Sequence, residues 1–154
     1  MKSQSEKPTK NSFLFQFETF SQIEDALELI FSPSAAAVIL YMTAIKCGVH
    51  TYKKMKKKIH TEEEALNHLS ELKKEENWGK LSFRDISFKN ATGRVIIHDS
   101  FETIARKTTQ PSCHFFRGYI AGFLSELFKN TITVTEEKCA GKGDEHCEFV
   151  FEPQ

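Results

Sequence analysis

Cys113, Glu136, Cys139 and Cys147 are the residues whose types and spacing are best suited to chemistry. Cys139 and Cys147 flank the loop Ala140-Gly-Lys-Gly-Asp-Glu-His146, which reads as a hairpin turn. Across the base of a hairpin, facing β-carbons lie about 5 Å apart. Tetrahedral zinc with Zn–S near 2.3 Å needs sulfurs about 3.8 Å apart, a small adjustment. Cys113 opens an apolar helical stretch, where the helix dipole favours thiolate, the metal-binding form. Strand alternation puts Glu136 on the same face as Ile132 and Val134, the face that should be buried. A carboxylate there needs a partner or must take up a proton. The odd step from Glu136 to Cys139 requires the strand to twist or end near Lys138.

A single cysteine is more often a small buried hydrophobe than a ligand. Three together with a misplaced glutamate favour a metal site. A Cys139–Cys147 disulfide satisfies the same geometry but fits a reducing compartment poorly. His114 and His146 flank the cluster as second-choice ligands, and Cys47 reads as core. His98 alternates away from Ile97, toward the surface or the rim of a pocket.

The elements that must position these residues follow from periodicity. Residues 1–11 are polar and read as a disordered tail, leaving 12–154 as one domain. Phe13, Phe15 and Phe17 alternate with other residues as in a strand, which could pair with the chain's own sheet or with that of a second copy in a homodimer. Ser21-x-x-Glu24 and Thr61-x-x-Glu64 resemble capping boxes, and Ser32-Pro33 opens a helix that Gly48 should weaken. The lysines from 53 to 58 read as a solvated helix end. Leu81 to Phe88 and Arg94 to Ser100 read as strands around the turn Asn90-Ala-Thr-Gly93, with a bulge expected near Arg84-Asp85. Cys113 to Phe128 reads as an amphipathic helix, in which Gly118 and Gly122 imply the close approach of a neighbour. Two further strands close the chain. The order is helices-β-β-α-β-β: an α+β fold with an antiparallel sheet of about four or five strands and helices packed on one face.

The formal net charge is zero, which argues against a general nucleic-acid binder. The longest apolar run, Ala35 to Tyr41, is short for a membrane span, and the N-terminus lacks a signal-peptide core. A cytoplasmic location is therefore expected.

The motif Cys113, Arg117-Gly118-Tyr119, Gly122, Glu136, Cys139, Gly143-Asp144 and Cys147-x-Phe149 resembles the vinyl-4-reductase (4-vinyl reductase) domain family. The resemblance implies an α+β fold related to vesicle-tethering complex subunits and haem-based nitric-oxide sensors. It also implies a zinc site made of Cys113, Glu136, Cys139 and Cys147, with a ligand pocket beside it between helices and sheet. Members occur as free-standing proteins, in bacteriochlorophyll synthesis, and as sensor domains that detect phenols and other aromatic compounds. The implied function is a stand-alone, zinc-containing binding or sensor domain for a small hydrophobic or aromatic ligand. Trp78, His98, Phe101, Phe116, Tyr119 and Phe123 are the pocket candidates, and the first two stand nominally for the histidine and tryptophan of the aromatic-sensing members. A zinc-thiolate redox switch and a reductase acting on a vinyl group are the alternatives. The chain shows neither a dinucleotide fingerprint nor a phosphate loop of the Gly-x-x-x-x-Gly-Lys-Ser/Thr type. A zinc with four protein ligands also leaves no open catalytic position.

Overall fold

The computed structural model describes residues 15–154. Helices α1 (Phe17–Ile30), α2 (Pro33–Met55) and α3 (Glu62–Glu75) come first. Strands β1 (Lys80–Ser87) and β2 (Thr92–His98) follow, then the single turn α4 (Phe101–Ile104), helix α5 (His114–Phe128) and strands β3 (Ile132–Lys138) and β4 (Cys147–Pro153). The four strands form one antiparallel sheet in the order β1-β2-β4-β3. The fold class is α+β, as the pattern of elements implies.

Strand alternation sets the inner face. Val95, Ile97, Ile132, Val134, Cys147, Phe149 and Phe151 are all buried with the apolar side of α5. The expected bulge in β1 falls between Arg84 and Ser87, where Asp85 takes a positive φ of 52°. A second register shift, between Glu136 and Lys138, supplies the change of parity that the step to Cys139 demands.

Helix α5 is buried along most of its length because it crosses α2 at backbone contact distance. A Cβ on Gly118 would sit 2.3 Å from the Tyr41 carbonyl oxygen, and one on Gly122 would sit 2.2 Å from that of Ile45. From the other helix, a Cβ on Gly48 would meet the Tyr119 carbonyl oxygen at 2.1 Å. The cost of three helical glycines is thus offset by close packing. Gly48 does not end α2, which runs on to Met55. By length and mean hydropathy α2 meets the requirement for a membrane span, which the short run Ala35–Tyr41 had not suggested.

The N-terminal expectations need correction. Phe17 is the first residue of α1, so no strand runs through it; Phe13 and residues 1–11 lie outside the described residues. Its inward residues, Phe17, Phe20, Ser21, Glu24 and Glu28, keep helical spacing, which outweighs the three-residue alternation. Ser21 and Glu24 are therefore buried mid-helix residues, and Gln16 is the N-cap. The second box holds: the Glu64 amide donates to Thr61 Oγ1 at 3.1 Å, and the His60 amide donates to the Glu64 carboxylate at 2.8 Å. Ser32 caps α2 by accepting from the Ala35 amide at 3.3 Å.

Gly122→Ala should lower the thermal unfolding midpoint more than Gly141→Ala, by a margin equivalent to about 1–3 kcal/mol, because the helices must separate to admit the methyl group. Differential scanning calorimetry of the two variants checks this.

Candidate metal centre

The N-terminus of α5 and the β3–β4 hairpin bring four side chains together. Cys113 is the N-cap residue of α5, Glu136 lies just before the β3 bulge, and Cys139 and Cys147 stand on either side of the hairpin turn. Their ligand atoms all lie within 4.8 Å of one another. Cys113 Sγ is 3.5 Å from Cys147 Sγ and 3.9 Å from Cys139 Sγ, which brackets the roughly 3.8 Å expected around tetrahedral zinc. All three cysteines are free and fully buried, so the Cys139–Cys147 disulfide is not formed.

Backbone hydrogen bonds hold the frame. The Cys113 amide donates to Glu136 Oε2 at 3.0 Å, the Cys139 amide to Asp144 Oδ2 at 2.8 Å, and the Ala140 amide to Cys147 Sγ at 3.3 Å. Glu136 Oε1 is buried with no hydrogen-bond partner. An orphaned carboxylate oxygen beside three sulfurs fits a cation, which would relieve its desolvation. The group can hold a metal ion on these grounds. His114 and His146 are not part of it.

The protonation pattern differs from the simple dipole argument. The thiol contacts with Cys139 and Cys147, and then burial, push Cys113 well above the usual thiol range, so the helix N-terminus does not make it the thiolate. Cys139 is instead held low, first by the Cys113 thiol and then by that of Cys147. The Cys113 contact pulls Cys147 down, but the hydrogen bond to Cys139 and burial outweigh it and raise the group to about 12. Burial, followed by the Cys139 charge, lifts Glu136 to about 8. The metal-free cluster thus carries one anion and three protons at neutral pH.

Next to the cluster, Glu102 performs the helix-capping role that the Cys113 side chain does not. Its carboxylate accepts from the amides of Phe115 at 2.9 Å and Phe116 at 2.7 Å. Burial and then Glu24 raise its pKa well above the usual carboxylate range. Arg106, from the segment between α4 and α5, reaches Glu28 at 2.6 Å and Glu24 and Asp25 at 3.5 Å, fastening α1 beside the site.

The aromatic candidates divide into groups. Trp78, Phe101, Phe116 and Tyr119 share one cluster, with the Trp78 ring centroid 5.1 Å from those of both Phe101 and Tyr119 and 5.9 Å from that of Phe116. Phe123 lies apart, edge-on to Tyr52 at 5.5 Å. His98 is exposed and faces His146, with ring centroids 5.2 Å apart. Phe15, Phe17, Phe20, Phe115, Trp78 and Phe101 line a cavity of about 640 Å³, with Gln16, Glu76 and Asn77 at its polar margin. Phe20 and Phe115 were not singled out from the sequence, though Phe115 adjoins Phe116. A larger groove of about 840 Å³ runs past Arg106, Ser112 and His114 and is mostly polar.

Lys73 was also missed. It is buried, ion-paired with Glu76, and its Nζ lies 3.7 Å from the Trp78 ring centroid and 4.3 Å from that of Tyr119. Burial lowers its pKa, opposed by Glu76. Such a cation on two ring faces locks Trp78 in place.

Residues 94–153 match the family model of the vinyl-4-reductase domain. That stretch holds all four residues of the cluster. The resemblance read from the motif therefore stands on the C-terminal part of the chain. Over 44 residues the chain is 39% identical to the phenol regulator MopR of Acinetobacter guillouiae, covering 29% of this chain and 8% of the regulator. The matched stretches span a quarter or less of the curated relatives. The fold is similar to the phenol-responsive sensory domain of the transcription activator PoxR, solved with phenol, at a TM-score of 0.83 and 21% identity over 92% of this chain and 76% of that one. It is also similar to a vinyl-4-reductase family protein from Methanocaldococcus jannaschii, at a TM-score of 0.64 and 19% identity over 94% of this chain and 85% of that one.

Loading a divalent metal at pH 7 should expel the protons held by Cys113, Cys147 and Glu136. Apparent affinity should therefore rise with pH through at least pH 8 and fall on acidification. Titration calorimetry in buffers of different ionisation enthalpy measures the proton count directly. Glu136→Gln should release about one proton fewer and bind more weakly.

Proposed function

We propose that the chain is a zinc-containing small-molecule sensor or binding domain whose ligand is a compact hydrophobic or aromatic compound. Three thiolates and one carboxylate form a closed four-ligand set of the structural zinc type. Soft sulfur donors disfavour magnesium and calcium. The observation that carries the reading is the direct chain connection between the metal cluster and the aromatic cavity. Cys113 is a candidate ligand, and Phe115, two residues on, lines the cavity. Zinc fixes the start of α5, and the start of α5 fixes the wall of the pocket.

A cavity of about 640 Å³ is in the range of small-molecule sites. Six of its lining residues are aromatic, and Gln16, Glu76 and Asn77 offer a few polar contacts. That composition suits a phenol or a similarly sized ring compound, the class named for MopR and PoxR. Phe101 and Trp78 are the two pocket candidates from the sequence that also line this cavity. Phe116 and Tyr119 support Trp78 from behind.

The cluster also favours a second reading, a zinc-thiolate switch. Oxidation of two of the three sulfurs to a disulfide, with peroxide as the oxidant reduced to water, would remove two ligands and release the ion. Phe115 would then lose its anchor, so redox state and ligand binding would be linked through one helix end.

Thermal-shift and calorimetric titration of zinc-loaded protein with phenol and alkylphenols test the primary reading. Binding is expected, together with at least tenfold loss of affinity for Trp78→Ala or Phe115→Ala. A protein that no aromatic compound stabilises, at any ligand concentration short of denaturation, would contradict it.

A further inference from the structure

Helix α2 is buried on one side only over its first half. Ala36, Leu40, Ala44 and Gly48 form the inward stripe, one residue every four. At roughly 100° per residue, Val38, Ile39 and Met42 project on the opposite side of the helix. Val38 is 61% and Met42 52% exposed. From Pro33 to Ile45 there is no charged residue. The two-residue turn between α1 and α2 brings Leu29, Ile30 and Phe31 next to this stripe, and they are more exposed still, with Leu29 at 88%. Scattered exposed hydrophobics are ordinary, but an uncharged stripe joined to an apolar corner is not.

We propose that this α1–α2 face is the contact surface for a second copy of the chain, in a two-fold dimer. A two-fold contact must be self-complementary, and an uncharged apolar centre meets that condition without opposing like charges. Charge argues against a lipid surface. From Phe17 to Ile45 there is no lysine or arginine, while Glu18, Glu24, Asp25 and Glu28 are acidic. Anionic membranes recruit helices through basic residues at their margin. The glycine-backed contact with α5 also holds α2 in the protein rather than freeing it to span a bilayer. The chain's own N-terminal segment is a poor cover, since positions 1–12 contain Met1 as their only large apolar residue. The face is separate from the aromatic cavity, because Phe17 and Ile30 stand about 20 Å apart along α1. The proposal does not depend on the ligand or the metal.

Sedimentation equilibrium of the full chain across a dilution series tests it. The wild type should show twice the chain mass of 17.7 kDa. Val38→Glu/Met42→Glu and, independently, Leu29→Glu should shift the equilibrium to the single-chain mass. Their circular dichroism and metal content should remain those of the wild type, since none of these side chains is buried. A wild type that is monomeric throughout the series would overturn the proposal, as would charge variants that remain dimeric. Flotation of wild-type protein with phosphatidylcholine–phosphatidylglycerol vesicles, lost in the same variants while the protein in solution stays monomeric, would overturn it in favour of a lipid partner.

Discussion

Four acidic groups share one small, dry volume at the foot of α5, and their charge must be settled before the C-terminal half can pack. Ionised together without a cation, three thiolates and a carboxylate would repel one another at distances of 3.5–4.8 Å with little water to screen them. The chain has two ways out. It can keep protons on Cys113, Cys147 and Glu136 around a lone Cys139 thiolate, or it can bind a dication. The first leaves Glu136 Oε1 unpartnered, and the second gives every donor a bond. Glu136 is what ties this local question to the sheet, because the β3 bulge next to it turns the strand toward Cys139.

Everything near the cluster is arranged on that foot. Cys113 caps α5, Glu102 satisfies the next two amides, and Phe115 reaches from the same turn into the aromatic cavity. Arg106 brings α1 into the unit from the other side, and α1 supplies Phe17 and Phe20 to the cavity wall. The far side of α5 is fixed by the glycine crossing with α2. The metal cluster, the helix crossing and the pocket are therefore three contacts of one helix rather than three separate devices.

Much of this was legible because the physics was local. The alternation of Ile132, Val134 and Glu136 exposed a carboxylate on a buried face, and the awkward step to Cys139 announced a bulge. Gly118 and Gly122 asked for a close neighbour, and Thr61 with Glu64 marked a helix start. What was misread depended on partners distant in sequence. Ser21 and Glu24 have the spacing of a capping box, but Glu24 is drawn inward by Arg106, far along the chain. The phenylalanines around position 15 alternate briefly, while Phe17 and Phe20 show a helical face once Phe101 and Phe115 are there to meet them. The ionisation of Cys113 follows from two sulfurs and from burial, which outweigh its own helix dipole. Lys73 has no sequence signal at all, since an exposed and a buried lysine look alike until Trp78 and Tyr119 fold over it.

The central claim is that an ion, held by Cys113, Glu136, Cys139 and Cys147, joins the last hairpin to α5. Elemental analysis of protein purified under reducing conditions, without chelator or added metal, addresses it most directly. The account predicts one zinc per chain, lost on Cys139→Ser or Cys147→Ser and retained on Cys47→Ser. Protein that is folded and free of metal, or zinc that persists after the hairpin cysteines are replaced, would contradict it.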